Sequence, residues 1–123
     1  MVKEIEVHGF DELMKTTEAE EGNKVCVLFT GTLDDNGQSW CPDCVKADPV
    51  IKECLQYADP ETVFITCFVG DRKYWKDQKN EFRTSSKTKV KSIPMLMVWG
   101  TRRTLEEDQC AATSLVRMFF EEA

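Results

Sequence analysis

An α/β fold, a central mixed β-sheet flanked by helices on both faces, is what this sequence predicts. Three features carry that reading. Short, β-rich apolar runs stand at Lys24 to Thr30, Val63 to Val69 and Met95 to Trp99. A long segment with helical spacing separates the first two, and a strand–helix–strand order implies a parallel pair. A hairpin after the third run, followed by one more amphipathic helix, makes the sheet mixed and supplies helices for both faces.

The elements follow in order. Lys3 to Val7 alternates charged and apolar side chains and reads as a first strand. Phe10, Leu13, Met14 and Thr17 then keep the spacing of an amphipathic helix, closed by Gly22 and Asn23. Lys24 to Thr30 is apolar without alternation, the pattern of a strand buried on both faces. Gly31 to Ser39 is polar and rich in turn formers. In the long helix, Ala47, Val50, Ile51, Cys54, Leu55 and Ala58 share one face, while Lys46, Lys52, Glu53 and Gln56 share another. Pro49 interrupts this helix and should kink it. Val63 to Val69 is a second buried strand, and Tyr74 to Ser85 reads as one short helix with an exposed loop. Pro94 precedes the third strand, Gly100 turns the chain, and Thr104 and Leu105 return as an edge strand. Ala112, Leu115, Val116 and Phe119 make the inward stripe of the last helix.

Composition narrows the function. The 123 residues carry a net charge of −6, and the basic cluster from Lys87 to Lys91 and the pair Arg102-Arg103 are too short to offset it, so nucleic acid is not an expected partner. The strongly apolar runs Val25 to Phe29 and Met95 to Trp99 have five residues each, against roughly 20 for a membrane-spanning helix. Met1 to Val7 contains no apolar core of a secretory signal, so a cytosolic location is expected.

Six cysteines then need a reason. Cys26, Cys54, Cys67 and Cys110 sit inside apolar segments and are expected to be packed thiols. Cys41 and Cys44 differ, because Trp40-Cys41-Pro42-Asp43-Cys44 stands between a buried strand and a long helix. Only a thiolate attacks a disulfide, and a free thiol is barely ionised at neutral pH. At a helix start Cys41 faces unpaired N–H groups and the positive end of the helix dipole. Pro42 fits the first helical position, and Asp43 falls in the first turn. Lowering a pKa by two units takes roughly 2.7 kcal/mol, of which a helix terminus can supply up to about 2 kcal/mol. Asp43 opposes the shift, so a value near neutrality is expected. Cys44 lies one helical turn on, placed to attack the mixed disulfide that Cys41 forms. Cys41 is therefore read as the nucleophile and Cys44 as the resolving thiol of one redox-active disulfide.

The same residues resemble the thioredoxin superfamily: the Trp-Cys-Pro-Asp-Cys motif, Pro49 within the helix beyond it, and Ile93-Pro94 before an apolar strand. Within it, the chain is similar to a branch of small thioredoxin-related proteins of about 14 kDa. That likeness rests on Phe29-Thr30-Gly31, the loop to Ser39, Asp48-Pro49-Val50, Val69-Gly70, Tyr74-Trp75-Lys76-Asp77, Phe82-Arg83 and the closing acidic helix. It implies a single thioredoxin-like domain over residues 1–123 and a cis Ile93-Pro94 bond. Ile93 and Pro94 would lie against the dithiol and contact substrate, with Trp40, Pro42 and Asp43 supporting it. It further implies a cytosolic monomer that binds no cofactor or metal and receives electrons from NADPH through thioredoxin reductase. Cystine and a restricted set of disulfide proteins are the implied substrates, and a dynein light chain an implied partner. The Gly31 to Ser39 loop would restrict large substrates around Cys41.

Two departures stand out. General thioredoxins carry an aspartate in the strand before the motif, where this chain has Leu28, so the proton of Cys44 needs another group, Asp43 or water. Thr84 to Lys91 is also unusually rich in Lys and Ser. Trp40 reads chiefly as a packed shield, since its indole offers only a donor. Tyr74 and Trp75 read equally as a substrate rim or as loop anchors. A zinc site is disfavoured, because His8 is the one histidine and there is no second C-x-x-C. Two rival functions stay open: a glutathione-dependent glutaredoxin, for which the expected Gly-Gly turn is absent, and an adaptor that binds protein without turning over disulfides.

Overall fold

Two buried faces of one sheet organise the computed structural model, which describes residues 1–123. The strands β1 (Lys3–His8), β2 (Val25–Thr30), β3 (Val63–Phe68), β4 (Met95–Val98) and β5 (Thr104–Glu106) lie in the order β1-β3-β2-β4-β5. The first three run parallel, and β4 and β5 are antiparallel to their neighbours, which gives the expected mixed sheet. Every residue of β2 is buried because the strand is central and covered on both sides, which explains its unbroken apolar run.

Side-chain alternation sends Val25, Val27 and Phe29 of β2 to one face and Cys26 and Leu28 to the other. On the first face pack α1 (Phe10–Ala19), α3 (Arg72–Lys76) and α4 (Glu81–Thr84), through Leu13, Trp75 and Phe82. On the second pack α2 (Pro42–Cys54) and α5 (Thr113–Glu122), through Ala47, Ile51, Val116 and Phe120. All six cysteines are free and buried, and burial raises the thiols of Cys26 to about 11, of Cys110 to about 12, and of Cys54 and Cys67 in the same direction.

Three details depart from the sequence expectation. The segment from Tyr74 to Ser85 holds two short helices, not one helix and an exposed loop. Asp71 Oδ1 caps α3 by accepting the Tyr74 N–H at 2.8 Å, and Asn80 Oδ1 caps α4 by accepting the Arg83 N–H at 3.1 Å. A 3-10 turn over Glu107–Ala111 lies between β5 and α5. In α5 the inward stripe is Val116, Phe119 and Phe120, and Leu115 points outward at 38% exposure. Pro49 lies inside α2, which runs on to Cys54 and then tightens into a 3-10 turn over Leu55–Tyr57.

Candidate active site

The dithiol stands where the carboxyl end of β2 gives way, through a loop, to the start of α2. Cys41 is the residue that caps α2, in extended conformation at φ −94° and ψ 109°, and Pro42 opens the helix. The Cys44 N–H donates to Cys41 Sγ at 3.3 Å, so the sulfur occupies the place of an oxygen cap and accepts one of the unpaired helical donors. Asp43 falls in the first turn, where a carboxylate suits the helix dipole but repels a second anion at Cys41.

These contacts set two different thiols. A hydrogen bond from the Cys44 thiol holds Cys41 at about 7, well below the usual 9.0, against the opposing pull of burial and of the Asp43 charge. The Cys44 N–H helps lower it. Cys41 gives its proton to solvent while Cys44 keeps its own, its value raised strongly through that same bond and through burial. The expected near-neutral thiol emerges, but the neighbouring thiol contributes more to it than the helix terminus does. Because the folded value lies below the unfolded one, the thiolate adds stability that is complete above about pH 9 and is lost as pH falls through about 7. Alkylation of the reduced protein by iodoacetamide should follow a midpoint near pH 7. In Cys44→Ala, which removes the donating thiol, the midpoint should move upward; an unchanged midpoint would assign the shift to the helix end alone.

Across from the dithiol, Ile93-Pro94 is a cis bond, and the Ile93 carbonyl lies 4.0 Å from Cys41 Sγ. Ile93 and Pro94 are themselves buried, so their backbone edge is what borders the dithiol. The loop from Gly31 to Ser39 is pinned on the other side. Ser39 Oγ donates to the Gly31 carbonyl at 2.9 Å and accepts the Cys41 N–H at 3.2 Å. Trp40 Nε1 donates to the Gly70 carbonyl at 2.9 Å, so the indole uses its single donor to anchor the loop. Thr32 completes the clasp, donating its N–H to the Gly70 carbonyl and accepting the Gly70 N–H at Oγ1. Beyond it Leu33 bridges Ser39, and Asp34 Oδ1 accepts N–H bonds from Asn36 and Gln38 to close the tip. Gly31 is required by proximity: a Cβ there would stand 2.7 Å from Ser39 Oγ and 3.1 Å from Cys41 Cβ.

The structure separates Tyr74 from Trp75. Trp75 is buried under the Arg83 guanidinium, 4.1 Å above its ring, and anchors the segment. Tyr74 lies over Gly70 and is 41% exposed beside the clasp. Leu28 is buried among the apolar residues under α2 and α5. His8 stacks on Phe68, with ring centroids 4.9 Å apart, at the edge of the sheet. Sequence reasoning missed Ser39, Gly31, Gly70 and the Thr30 side chain, which shares a cavity with Cys44 and helps lower its thiol. Only Ser39 carried a local signal, a hydroxyl residue just before a helix start.

The chain is similar to several known proteins. A family profile described as thioredoxin domain-containing protein 17-like, thioredoxin domain, matches residues 6–122. Thioredoxin domain-containing protein 17 of Mus musculus is 45% identical over 120 residues, covering 98% of this chain and 96% of its own. The Homo sapiens protein of that name is 42% identical over the same span. Thioredoxin-like protein Clot of Arabidopsis thaliana is 33% identical over 107 residues, 84% of this chain and 80% of its own. Among solved structures, the reduced thioredoxin pre-protein of Schistosoma mansoni superposes with a TM-score of 0.60 over 98% of this chain and 97% of its own. At 17% identity that likeness is one of fold.

Proposed function

Because the chain belongs to the thioredoxin domain-containing protein 17-like family of thioredoxin domains, we propose that it is a dithiol–disulfide reductase working through Cys41 and Cys44. One observation supports this reading above the others. Cys41 Sγ accepts the Cys44 N–H at a helix start and is held near 7, while Cys44 keeps its proton. A thiol with a pKa near the ambient pH is close to its best as an attacking group.

The Cys41 thiolate attacks one sulfur of a substrate disulfide, forming a Cys41–substrate bond and releasing the other substrate sulfur as a thiolate that takes a proton. Cys44 then loses its proton and attacks Cys41 Sγ. The Cys41–Cys44 bond forms, the Cys41–substrate bond breaks, and the second substrate thiol departs. Two electrons have passed from the dithiol to the substrate, leaving an intramolecular disulfide. In this reading thioredoxin reductase returns the electrons from NADPH, and the chain itself binds no cofactor or metal.

Ile93 and Pro94 offer their backbone edge to the substrate, and Trp40, Pro42 and Asp43 support the dithiol. Substrates are cystine and those disulfide proteins that fit past the Leu33 and Tyr74 rim, and a dynein light chain is a protein partner. The chain acts as a single-domain cytosolic monomer, away from nucleic acid and membranes; no helix is long and apolar enough to cross a bilayer.

Two coupled assays decide the matter. With NADPH, thioredoxin reductase and cystine, adding the chain should raise NADPH oxidation in proportion to its concentration. With glutathione and glutathione reductase in their place, stimulation should be far smaller. No stimulation with thioredoxin reductase would sink the reading, and preference for glutathione would make the chain a glutaredoxin.

A further inference from the structure

Behind Cys44, on the side away from Cys41, the α2 face of the sheet turns polar. β1 places Glu4, Glu6 and His8 on that face, all exposed, because α2 does not reach across the edge strand. Glu6 stands in register with Thr66 of β3, which in turn stands beside Leu28 of β2. A cleft results between β1 and α2. Two adjoining cavities occupy it, of about 180 and 360 Å³, and Glu6, Asp48, Lys52 and Thr66 wall both. The smaller reaches Cys44 and Thr30 and has room for several waters at about 30 Å³ each.

Few ionisable groups face this cleft near Cys44. β1 supplies Glu6 and, in the larger cavity, Glu4; α2 supplies Asp48 and Lys52; β2 and β3 supply none. Asp43 is not among the walls, and its charge is felt at Cys41 instead. Asp48 lies one helical turn beyond Cys44, on the same face of α2, and is paired with Lys52 Nζ at 3.1 Å.

Resting on the reductase reading, we propose that the proton of Cys44 leaves and returns through this cleft. The Thr30 hydroxyl contacts the sulfur, and the Asp48 carboxylate, reached through water, holds the proton. In the resolving step the Cys44 S–H bond breaks and its proton passes to Asp48. The sulfur's electron pair forms the bond to Cys41 Sγ, and the pair of the broken Cys41–substrate bond leaves on the substrate sulfur. When the disulfide is reduced again, Asp48 returns the proton to Cys44. The bond to Cys41 and burial raise the Cys44 thiol strongly, and burial persists in the mixed disulfide, so Cys44 would ionise slowly at neutral pH without such a partner. Asp48 is here a positioning residue for the proton.

A single turnover with an excess of the aryl disulfide DTNB separates the two steps, because each releases one coloured thiolate. The first phase reads attack by Cys41 and the second reads resolution by Cys44. In Asp48→Asn the first phase should hold, while the second slows at least about tenfold at about pH 6.5. Its rate should then climb steeply with pH, where the unaltered protein is flatter, and Asp48→Glu should restore the flat profile. Thr30→Val should slow the second phase and Thr30→Ser should keep it. A second phase in Asp48→Asn with the rate and pH profile of the unaltered protein overturns the assignment. So does a loss confined to Glu6→Gln. Absence of a first phase in the unaltered protein instead sinks the reductase reading, and this inference with it.

Discussion

Cys41→Ser is expected to lose disulfide reduction by at least about a thousandfold, because the one thiol left in the site, Cys44, is buried and keeps its proton. A serine hydroxyl in the same position still caps α2, so the fold should be retained. Cys44→Ser should fail differently. Its Cys41 remains a nucleophile, and the serine hydroxyl can still donate to the sulfur, but nothing expels the bound substrate. A mixed disulfide through Cys41 should therefore accumulate. Mass spectrometry under non-reducing conditions, after incubation with cystine, reads the difference as one added half-cystine in Cys44→Ser and none in Cys41→Ser. The asymmetry follows from the two thiols: Cys41 sits near 7 and Cys44 far higher. Adducts found equally on either sulfur would contradict that order. Protein partners retained equally by Cys41→Ser would favour an adaptor over an enzyme.

The fold and the dithiol were legible because their signals are local. An unbroken apolar run such as Val25 to Phe29 has few alternatives to a buried central strand, and the C-x-x-C spacing places both thiols on one helical turn. What escaped was made by distant pairings. Gly31 and Gly70 matter because Ser39, Trp40 and Thr32 bond to them across loops far apart in sequence. The cleft behind Cys44 exists because β1 lies at the sheet edge, beyond the reach of α2, a fact of strand order and not of any motif. The spacing of four puts Asp48 on the Cys44 face of α2, but only the strand order shows that this face opens on a cleft and not on packed core. The helix start, whose N–H groups help lower Cys41, was legible in the sequence, whereas the larger contribution, the thiol bond from Cys44, needs coordinates.

The segment from Tyr74 to Ser85, read from sequence as one short helix with an exposed loop, should prove among the most sensitive parts of the molecule. Phe82 is wholly buried and meets Phe10 at 5.6 Å and Phe29 at 6.0 Å, both edge-to-face. Its carbonyl accepts the Val90 N–H and the Thr88 hydroxyl, each at 2.8 Å, so its position also fixes the chain that leads to Ile93-Pro94. Phe82→Ala removes the ring from between α1, β2 and α4, and a four-residue helix has little means to collapse into the space. A loss of about 3–5 kcal/mol is expected. For a domain of this size that lowers the thermal midpoint by well over about 10 °C. Met118→Ala, on an exposed face of α5, should change stability by no more than about 0.5 kcal/mol. Urea unfolding of the reduced proteins at one pH provides the comparison. A small effect at Phe82 would mean that the segment is the exposed loop its sequence suggested, and that Ile93-Pro94 is held against Cys41 by β4 alone.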